Sequence, residues 1–385
     1  MSVDIYGTHV LAGVIRESKP TLPGFWLNFV TRVYNSEVAE IHFDRVTGLA
    51  RKVAPYVMPT VAGKVQRHGG FQTEKFTPAY VKISDTIDPS RTLSRRPGEP
   101  YGGMMSPSQR RDALLAEYLQ EQRDAIERRW NLMAAEVMQN GTLVIAGDDY
   151  PTTTIDFGRA ANQTVTLLAG SRWTDSGVSA LDNLEDWSVR VQDGCNYPVT
   201  DVVMGTSAWR AFRKNGELKE LLDLSRGGES LGGLDILPGS GNPLQYKGTD
   251  GTKQYWVYRE SYDISETKSV EIMDPRDVLL IAADGLGLVQ AFGAILDVDV
   301  LQPLPIFTKS WVENEPSARK LLSQSSPPMI PSRPNATMRA AINPPRSASS
   351  ALQRARPAPI VPATPCPVSR RGAGCPDRLS RSKRT

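Results

Sequence analysis

Residues 106–141 carry the longest uninterrupted helix pattern in the sequence, and they constrain the fold more than any other stretch. Ser106 suits the N-cap, and Pro107 suits the first helical position, where a missing N–H costs nothing. Gln109 stands where a capping box places its reaching side chain. No Gly or Pro interrupts the interior, and an Asn-Gly pair supplies the stop signal. The sequence therefore predicts a helix over residues 107–139, a rod of about 50 Å.

The apolar residues of this helix recur at steps of three, four or seven, so they share one face. They are Leu115, Leu119, Ile126, Trp130, Met133 and Val137. We expect its central members, Leu119, Ile126 and Met133, to meet a sheet. Three charged residues are expected toward solvent or a neighbouring subunit, namely Arg123, Asp124 and Arg128.

Composition indicates a soluble protein of two or three domains. The chain has 385 residues and a mean hydropathy of −0.33. Its N-terminus has no basic-then-apolar pattern, so no signal peptide is expected. The longest near-apolar run, residues 286–296, is too short to span a bilayer. Three cysteines cannot make a disulfide framework and fit a reducing cytosol.

The net charge of +3 conceals an uneven distribution. Residues 339–385 hold ten Lys/Arg against one acidic residue, or +9, which leaves 35 basic and 41 acidic residues, or −6, in residues 1–338. The basic excess belongs to the C-terminal tail. The basic pI therefore does not indicate that the folded body binds nucleic acid.

A long β-hairpin is predicted over residues 41–101. Four valines recur every four residues, at Val53, Val57, Val61 and Val65. Pro55 and Pro59 exclude a helix there, whereas an extended segment places the valines on one face. A turn at residues 68–70 leads to a second strand at residues 71–84. An isolated hairpin is marginal in water, so we infer that another subunit stabilises it.

The remaining segments predict an α+β protein. Residues 1–40 read as an irregular arm whose apolar residues 25–30 dock on something else. Strands are predicted at residues 142–145, 152–168, 201–205, 254–259, 278–283 (central), 291–300 and 306–312. Between them we expect a polar loop at 170–184, a helix at 207–224 and a glycine-rich loop at 225–252. Because twelve of the 29 prolines follow residue 326, a disordered tail is expected there.

The sequence contains no complete motif of an active site. Residues 228–232 match G-x-S-x-G around Ser230, but a helix precedes this motif and all three histidines lie upstream, so the order of a hydrolase is missing. No Lys follows a glycine-rich loop, and no C-x-x-C occurs. We therefore expect neither catalysis nor a cofactor or metal.

In order along the chain, several motifs resemble the major capsid proteins of lambda-like tailed phages, the protein E family. They are Gly48-Leu49-Ala50, Tyr56-Val57-x-Pro59-x-Val61-x-Gly63-x-Val65, Phe76-Thr77-Pro78-x-Tyr80-Val81-Lys82, residues 95–99, Val202-Val203 through Trp209-x-x-Phe212, Lys309-Ser310-Trp311 and Glu315-Pro316-Ser317-Ala318-Arg319. The resemblance spans roughly residues 20–335. The tail from Arg339 departs from it.

The resemblance implies the Hong Kong 97-type capsid fold and a subunit of an icosahedral shell. Its parts would be an N-terminal arm (1–40), an extended loop (41–101), a peripheral domain with the spine helix (102–184), an axial domain (185–287), a return to the peripheral domain (288–325) and the tail (326–385). Intersubunit contacts in the extended loop would involve Val57, Val61, Val65, Phe76, Tyr80 and Lys82.

The implied partners are other copies, in hexamers and pentamers, a decoration protein over the extended-loop junctions, and a scaffolding protein and a portal during assembly. DNA would be enclosed cargo only, no membrane is involved, and assembly would occur in the host cytoplasm. Some relatives crosslink a loop lysine, for which Lys52, Lys64, Lys75 and Lys82 are candidates, although a lambda-type protein is not expected to do so.

Two alternatives compete with a capsid function: nucleic-acid binding through the basic tail, and a serine hydrolase at Ser230. The tail itself is either a genuine disordered extension or translation beyond an original stop or in a shifted frame.

Overall fold

The computed structural model describes residue 11 and residues 24–38, 40–46, 56–60, 71–94, 105–147, 150–215, 244–265, 268–298, 304–315 and 317–342. The chain divides into two compact units, Met1–Pro344 and Pro345–Thr385. All described residues belong to the first unit.

The helices of the described residues are α1 Pro89–Leu93, α2 Pro107–Asn140, α3 Ala180–Cys195, α4 Thr206–Lys214 and α5 Ala283–Leu286, with short 3-10 turns at Trp26–Phe29, Ala161–Gln163 and Pro334–Ala336. The strands are β1 Val30–Asn35, β2 Ile41–Val46, β3 Phe71–Phe76, β4 Val81–Ile87, β5 Thr142–Gly147, β6 Tyr150–Asp156, β7 Thr164–Thr166, β8 Asp201–Met204, β9 Leu244–Asp250, β10 Lys253–Tyr258, β11 Ser261–Ser265, β12 Lys268–Glu271, β13 Asp277–Ile281, β14 Leu288–Phe292, β15 Phe307–Asn314, β16 Ser317–Ser325, β17 Met329–Pro331 and β18 Thr337–Ala341.

Helix α2 begins and ends on the residues that its sequence signals indicate. The Ser106 hydroxyl accepts the backbone N–H of Gln109 at 3.3 Å, and the Gln109 side chain accepts the N–H of Ser106 at 2.8 Å, which completes a capping box. At the other end Gly141 takes φ +69°. The helix is one residue longer at its C-terminal end than the predicted 107–139.

A six-stranded sheet forms the largest layer, in the order β7-β18-β13-β8-β10-β9. All five residues of β13 are buried, and this strand runs antiparallel to both neighbours, β18 and β8. The prediction of a central strand at 278–283 is therefore confirmed, with bounds shifted to Asp277–Ile281. Strand β8, predicted at 201–205, lies beside it, and β10, predicted at 254–259, pairs with the other edge of β8.

The prediction of a disordered tail from residue 326 is wrong for residues 326–342, because they contain β17 and β18. Strand β18 lies between β7 and β13; Met338 and Ala340 within it, and Ile342 directly after it, are fully buried. Composition averaged over the whole C-terminal region hid this short segment, whose small side chains fit an interior sheet position. Residues 343–385 lie outside the described residues.

The segment at 71–84 is not one strand of the hairpin. Strand β3 pairs with β2, whereas β4 joins a separate three-stranded sheet in the order β15-β16-β4. Residues 77–80 connect the two strands without strand pairing. The predicted turn at 68–70 lies outside the described part of the chain.

Residues 1–40 are not irregular throughout. Strand β1 pairs parallel with β14, and β14 pairs with β17 in a third sheet. Phe25 and Trp26 are buried in the main core of their own chain, which is the docking partner that their apolar character required.

Helix α3 was not expected, since its first residues fall in the predicted polar loop 170–184. Ser179 caps it by accepting the N–H of Asp182, and its buried residues Leu184, Trp187 and Val191 follow helical spacing. The polar residues between them dominated the sequence pattern.

Four other predicted bounds differ from the structure. The strand predicted at 152–168 ends at Asp156, and the glycine-rich segment 225–252 includes β9. The strand predicted at 291–300 is β14, which ends at Phe292. Helix α4 ends at Lys214, and residues 216–243 are outside the described ranges.

Two buried clusters occur in the described residues. The main cluster joins α2 from Ile126 onward to the six-stranded sheet, α3 and the segment around Trp26. The smaller cluster consists of Leu11, Ile87, Leu115, Leu119 and Leu321, and it joins the N-terminal half of α2 to β4 and β16.

Candidate intersubunit site

The predicted core face of α2 is buried. Leu119 and Ile126 are each 1% exposed and Met133 is 8% exposed. Leu119 belongs to the smaller cluster, whereas Ile126 and Met133 belong to the main one. The helix therefore connects two separate cores.

The charged face of α2 is only partly in solvent. Arg128 is exposed, but the Arg123 side chain is 16% exposed and forms an ion pair with Glu127 at 2.8 Å. Asp124 accepts a hydrogen bond from the Gln120 side chain at 3.1 Å. These i,i+4 contacts stabilise the helix by a few tenths of a kcal/mol each.

A buried polar junction fixes α2 to the sheet at the base of the hairpin. Gln122 is 0% exposed; its amide donates to the Asp85 carboxylate at 2.7 Å, and its carbonyl oxygen accepts from the Ser323 hydroxyl at 2.6 Å. The Ser323 hydroxyl also lies 3.1 Å from that of Thr308. Helix α2, β4, β16 and β15 are thus connected in one chain of hydrogen bonds. Such a buried network favours one register of the strands on the helix.

The C-terminal end of α2 is capped by a cation. The Arg159 guanidinium donates to the carbonyls of Met138 at 3.1 Å and Gln139 at 2.8 Å, and to the Thr164 hydroxyl at 2.8 Å. Positive charge here satisfies the last carbonyls and complements the helix dipole. Burial, and then the neighbouring charge of Arg339, lowers the pKa of Arg159 to about 10.

Only glycine fits at position 141. Its φ of +69° is unfavourable for other residues, and an added Cβ would lie 2.6 Å from the Cβ of Arg159. The capping arginine therefore packs directly against the helix stop.

A second charged contact joins this helix end to the sheet. Arg339 in β18 pairs with the Asp277 carboxylate in β13, with its Nε at 2.7 Å, and also donates to the side chain of Asn140 at 2.6 Å. Burial raises the pKa of Asp277, and the positive charge of Arg339 opposes that rise. Two cations therefore hold the end of α2 against the six-stranded sheet.

The segment around Trp26 docks on the middle of α2. The backbone N–H of Trp26 donates to Oδ1 of Asn131 at 3.0 Å, and an added Cβ at Gly24 would lie 2.8 Å from the same oxygen. The ring of Trp26 meets that of Tyr258 edge-on at 5.0 Å. Burial, and then a hydrogen bond to Glu260, raises the pKa of the Tyr258 phenol.

The hairpin carries exposed apolar side chains beyond its paired strands. Strands β2 and β3 pair antiparallel from Ile41 opposite Phe76 outward. Residues 56–60, here called the loop segment, lie between these strands in sequence. Tyr56, Val57 and Met58 are 106%, 45% and 74% exposed. Large apolar side chains in such a run indicate a surface that another molecule covers.

The other predicted contact residues are distributed over the hairpin base. Val61 and Val65 lie outside the described residues, as do the candidate lysines Lys52 and Lys64. Phe76 is half-buried, Lys82 is exposed, and Tyr80 is half-buried with hydrogen bonds inside its own chain. Their contact with a neighbouring subunit remains a prediction.

The described part of the chain holds no group of three or more His, Cys, Asp or Glu residues that could bind a metal ion. Ser230 and its G-x-S-x-G motif fall outside that part. No helix among the described residues is long and apolar enough to cross a membrane.

Sequence reasoning missed the polar residues that position α2. Gln122 had a usable signal, since it stands three residues after Leu119 and four before Ile126, in line with the apolar face. Arg159 had none, because the carbonyls that it caps are about twenty residues earlier in the chain.

The chain is similar to known phage proteins over most of its length. The sequence profile of the family described as phage major capsid protein E matches residues 7–342. The major capsid protein of Escherichia phage N15 is 27% identical over 340 residues, which cover 86% of this chain and 98% of that protein. For the major capsid protein of Escherichia phage lambda the identity is 27% over 319 residues, covering 81% and 92%.

A solved structure has the same fold. The crystal structure of a prophage protein from Escherichia coli CFT073 superposes with a TM-score of 0.67 at 22% identity. It covers 87% of this chain and 99% of its own. The family match ends at residue 342, immediately after β18.

Proposed function

Because the chain belongs to the phage major capsid protein E family, we propose that its copies join through the extended hairpin, whose loop segment packs on a neighbouring subunit. The protein itself is a structural major capsid protein, not an enzyme, and it forms the shell of a tailed bacteriophage. Its α+β architecture is the Hong Kong 97-type capsid fold.

The exposure of Tyr56, Val57 and Met58 carries this proposal. Burying such side chains releases roughly 25 cal/mol per Å² of apolar surface, so leaving them in water in every copy is unfavourable. Among the described residues β2 and β3 pair only with each other, and a two-stranded ribbon needs further packing for stability. A neighbouring copy supplies both.

The resemblance to the family supports a proposal for the finer organisation. We propose hexamers and pentamers in an icosahedral shell around double-stranded DNA, assembled in the host cytoplasm. Residues 102–184 and 288–325 would form the peripheral domain and 185–287 the axial domain, with a decoration protein over the hairpin junctions and a scaffolding protein and portal during assembly. The six-stranded sheet supports an axial domain that also includes β7 and β18.

The alternative of a nucleic-acid-binding protein is not favoured. The family match covers residues 7–342, and the basic excess lies almost entirely after it.

Substitution of Val57 tests the proposal. We expect Val57→Asp, expressed with its assembly partners, to give few or no closed particles by electron microscopy, because a carboxylate would be buried at each junction. Val189→Asp is the matched control, since it makes the same change at an exposed position of α3, outside the hairpin. Normal particle yield from Val57→Asp would overturn the proposal.

A further inference from the structure

Both legs of the hairpin are fastened at its base by one short piece of backbone. The N–H of Ala294 donates to the carbonyl of Val38 on the outgoing leg at 3.2 Å. The carbonyl of Ala294 accepts from the Tyr80 hydroxyl on the returning leg at 3.2 Å, and the same hydroxyl accepts the N–H of Leu296 at 3.1 Å. Residues 294–297 are called the clasp below.

The clasp is itself fixed to the body. The N–H of Gly293, just before it, donates to the carbonyl of Ser326 at 2.9 Å, and Ile295 within it is 5% exposed. At its far end the Asp297 carboxylate pairs with Lys309 in β15 and accepts from the Gln324 side chain in β16 at 3.4 Å. The clasp therefore transmits the position of the β15-β16 sheet to the legs of the hairpin.

Tyr80 lies in the unpaired segment where the hairpin leaves the β15-β16-β4 sheet. Strand β3 ends at Phe76 and β4 begins at Val81, so residues 77–80 have no strand pairing. On the other leg, β1 ends at Asn35 and β2 begins at Ile41. Where a ribbon leaves a sheet without pairing, a few side-chain contacts decide its direction. Tyr80 is also covered by the Lys82 ammonium, 5.1 Å from its ring centre.

We propose that Tyr80 is a positioning residue, whose hydroxyl on the clasp fixes the direction in which the extended hairpin leaves the body. This inference rests on the proposed function of the hairpin, because a fixed direction sets where the loop segment meets the next copy. Without the hydroxyl the hairpin keeps its own strand pairing but swings about its base, and copies join at variable angles.

Tyr80→Phe tests the proposal, because it keeps the ring beneath Lys82 and removes only the hydroxyl. The matched control is Tyr246→Phe, which removes a half-exposed phenol in β9 and keeps its ring contact with Trp256. In hydrogen–deuterium exchange of the unassembled full chain, we expect the Leu296 amide of Tyr80→Phe to exchange roughly three- to tenfold faster, with unchanged exchange in β13.

The direction of the hairpin is measured separately by spin labels. The labels are attached at Lys75→Cys in β3, where the side chain is 71% exposed, and at Glu117→Cys, an exposed position of α2. The labelled chain also carries Cys366→Ser and Cys375→Ser. We expect a wider distance distribution for Tyr80→Phe than for Tyr246→Phe. Unchanged exchange at Leu296, or equally narrow distributions, would overturn the proposal.

These measurements do not depend on assembly, so they separate the two proposals. Failure of the Val57→Asp test removes the contact role of the loop segment and leaves the clasp measurements standing. Tyr80→Phe particles should in turn be less uniform in diameter than those of Tyr246→Phe by electron microscopy. Uniform particles would show that the hydroxyl does not set how copies meet.

Discussion

Helix α2 meets the main core over its C-terminal half, from Ile126 to Met138, and a separate cluster of five residues over its N-terminal half. At the C-terminal end two arginines, Arg159 and Arg339, hold it against the six-stranded sheet. At the other half the neutral side chain of Gln122 connects it to the sheet beneath the hairpin.

This difference indicates that the two halves of the helix are held with different strength, one on the main core and one on the sheet beneath the hairpin. The end on the six-stranded sheet combines a large apolar core with charge-assisted hydrogen bonds from two guanidinium groups, whereas the other half has one such bond, from Gln122 to the Asp85 carboxylate. The half beneath the hairpin depends on few side chains. The hairpin base can therefore be altered while the main core stays intact.

The largest expected effect is at the charged end. Arg339→Met leaves the Asp277 carboxylate buried without its partner, and we expect the free energy of unfolding to fall by about 3 kcal/mol, measured by urea denaturation of the unassembled chain. The double variant Asp277→Asn with Arg339→Met should recover most of the loss. If Arg339→Met alone changes stability no more than the double variant, the ion pair does not hold this end.

The loss should depend on pH, because the folded pKa of Asp277 is raised. A carboxyl group whose pKa is higher in the folded than in the unfolded protein stabilises the fold at pH values below its unfolded pKa, about 4. That stabilisation is lost as the pH rises through its folded pKa. Removing Arg339 raises that pKa further. The destabilisation by Arg339→Met should therefore be larger at about pH 7.5 than at about pH 4.

An intermediate effect is expected at the polar junction. Gln122→Leu removes the amide that donates to Asp85 and one of the two hydrogen-bond partners of Ser323, so we expect a loss of about 2 kcal/mol. Hydrogen–deuterium exchange should show the loss locally, with faster exchange in β4 and β16 and little change in β13. Gln120→Leu, two residues earlier and half-buried, is the control. Equal acceleration in all three strands would contradict the separation of the two halves.

The smallest effect belongs to the helix start. Ser106→Ala removes the N-cap hydroxyl, and we expect a loss of about 1 kcal/mol. Ser108→Ala removes a hydroxyl that lies 2.9 Å from that of Ser106 but keeps the cap acceptor itself, so its loss of stability should be smaller. Since the first turn of α2 lies far from the main core, exchange should rise only near residues 107–110.

The sequence predicted those features whose signals are local. The caps of α2 stand within three residues of its ends, and the burial of β13 follows from the consecutive apolar residues that begin at Val278. The family motifs then led to the fold and the function. Each of these signals can be read without knowing a distant partner.

Features that depend on distant partners could not be predicted. Strand β18 is buried because β7 and β13 flank it, although β7 is more than 170 residues earlier. Likewise, Arg159 and Tyr80 donate to the backbone carbonyls of Met138 and Ala294, which are distant in sequence and which no sequence motif marks. In each case tertiary contacts outweighed local composition.

The interior place of β18 has a consequence for the order of synthesis. Strands β7, β8 and β13 leave the ribosome first, and the gap between β7 and β13 stays open until residue 341 has emerged. The hydrogen bond from Arg339 to Asn140 at the end of α2 forms in the same step. Nascent chains and chains terminated before residue 341 thus lack both β18 and the Arg339 contact. Only a chain translated through β18 can therefore fold into a subunit that is complete for assembly.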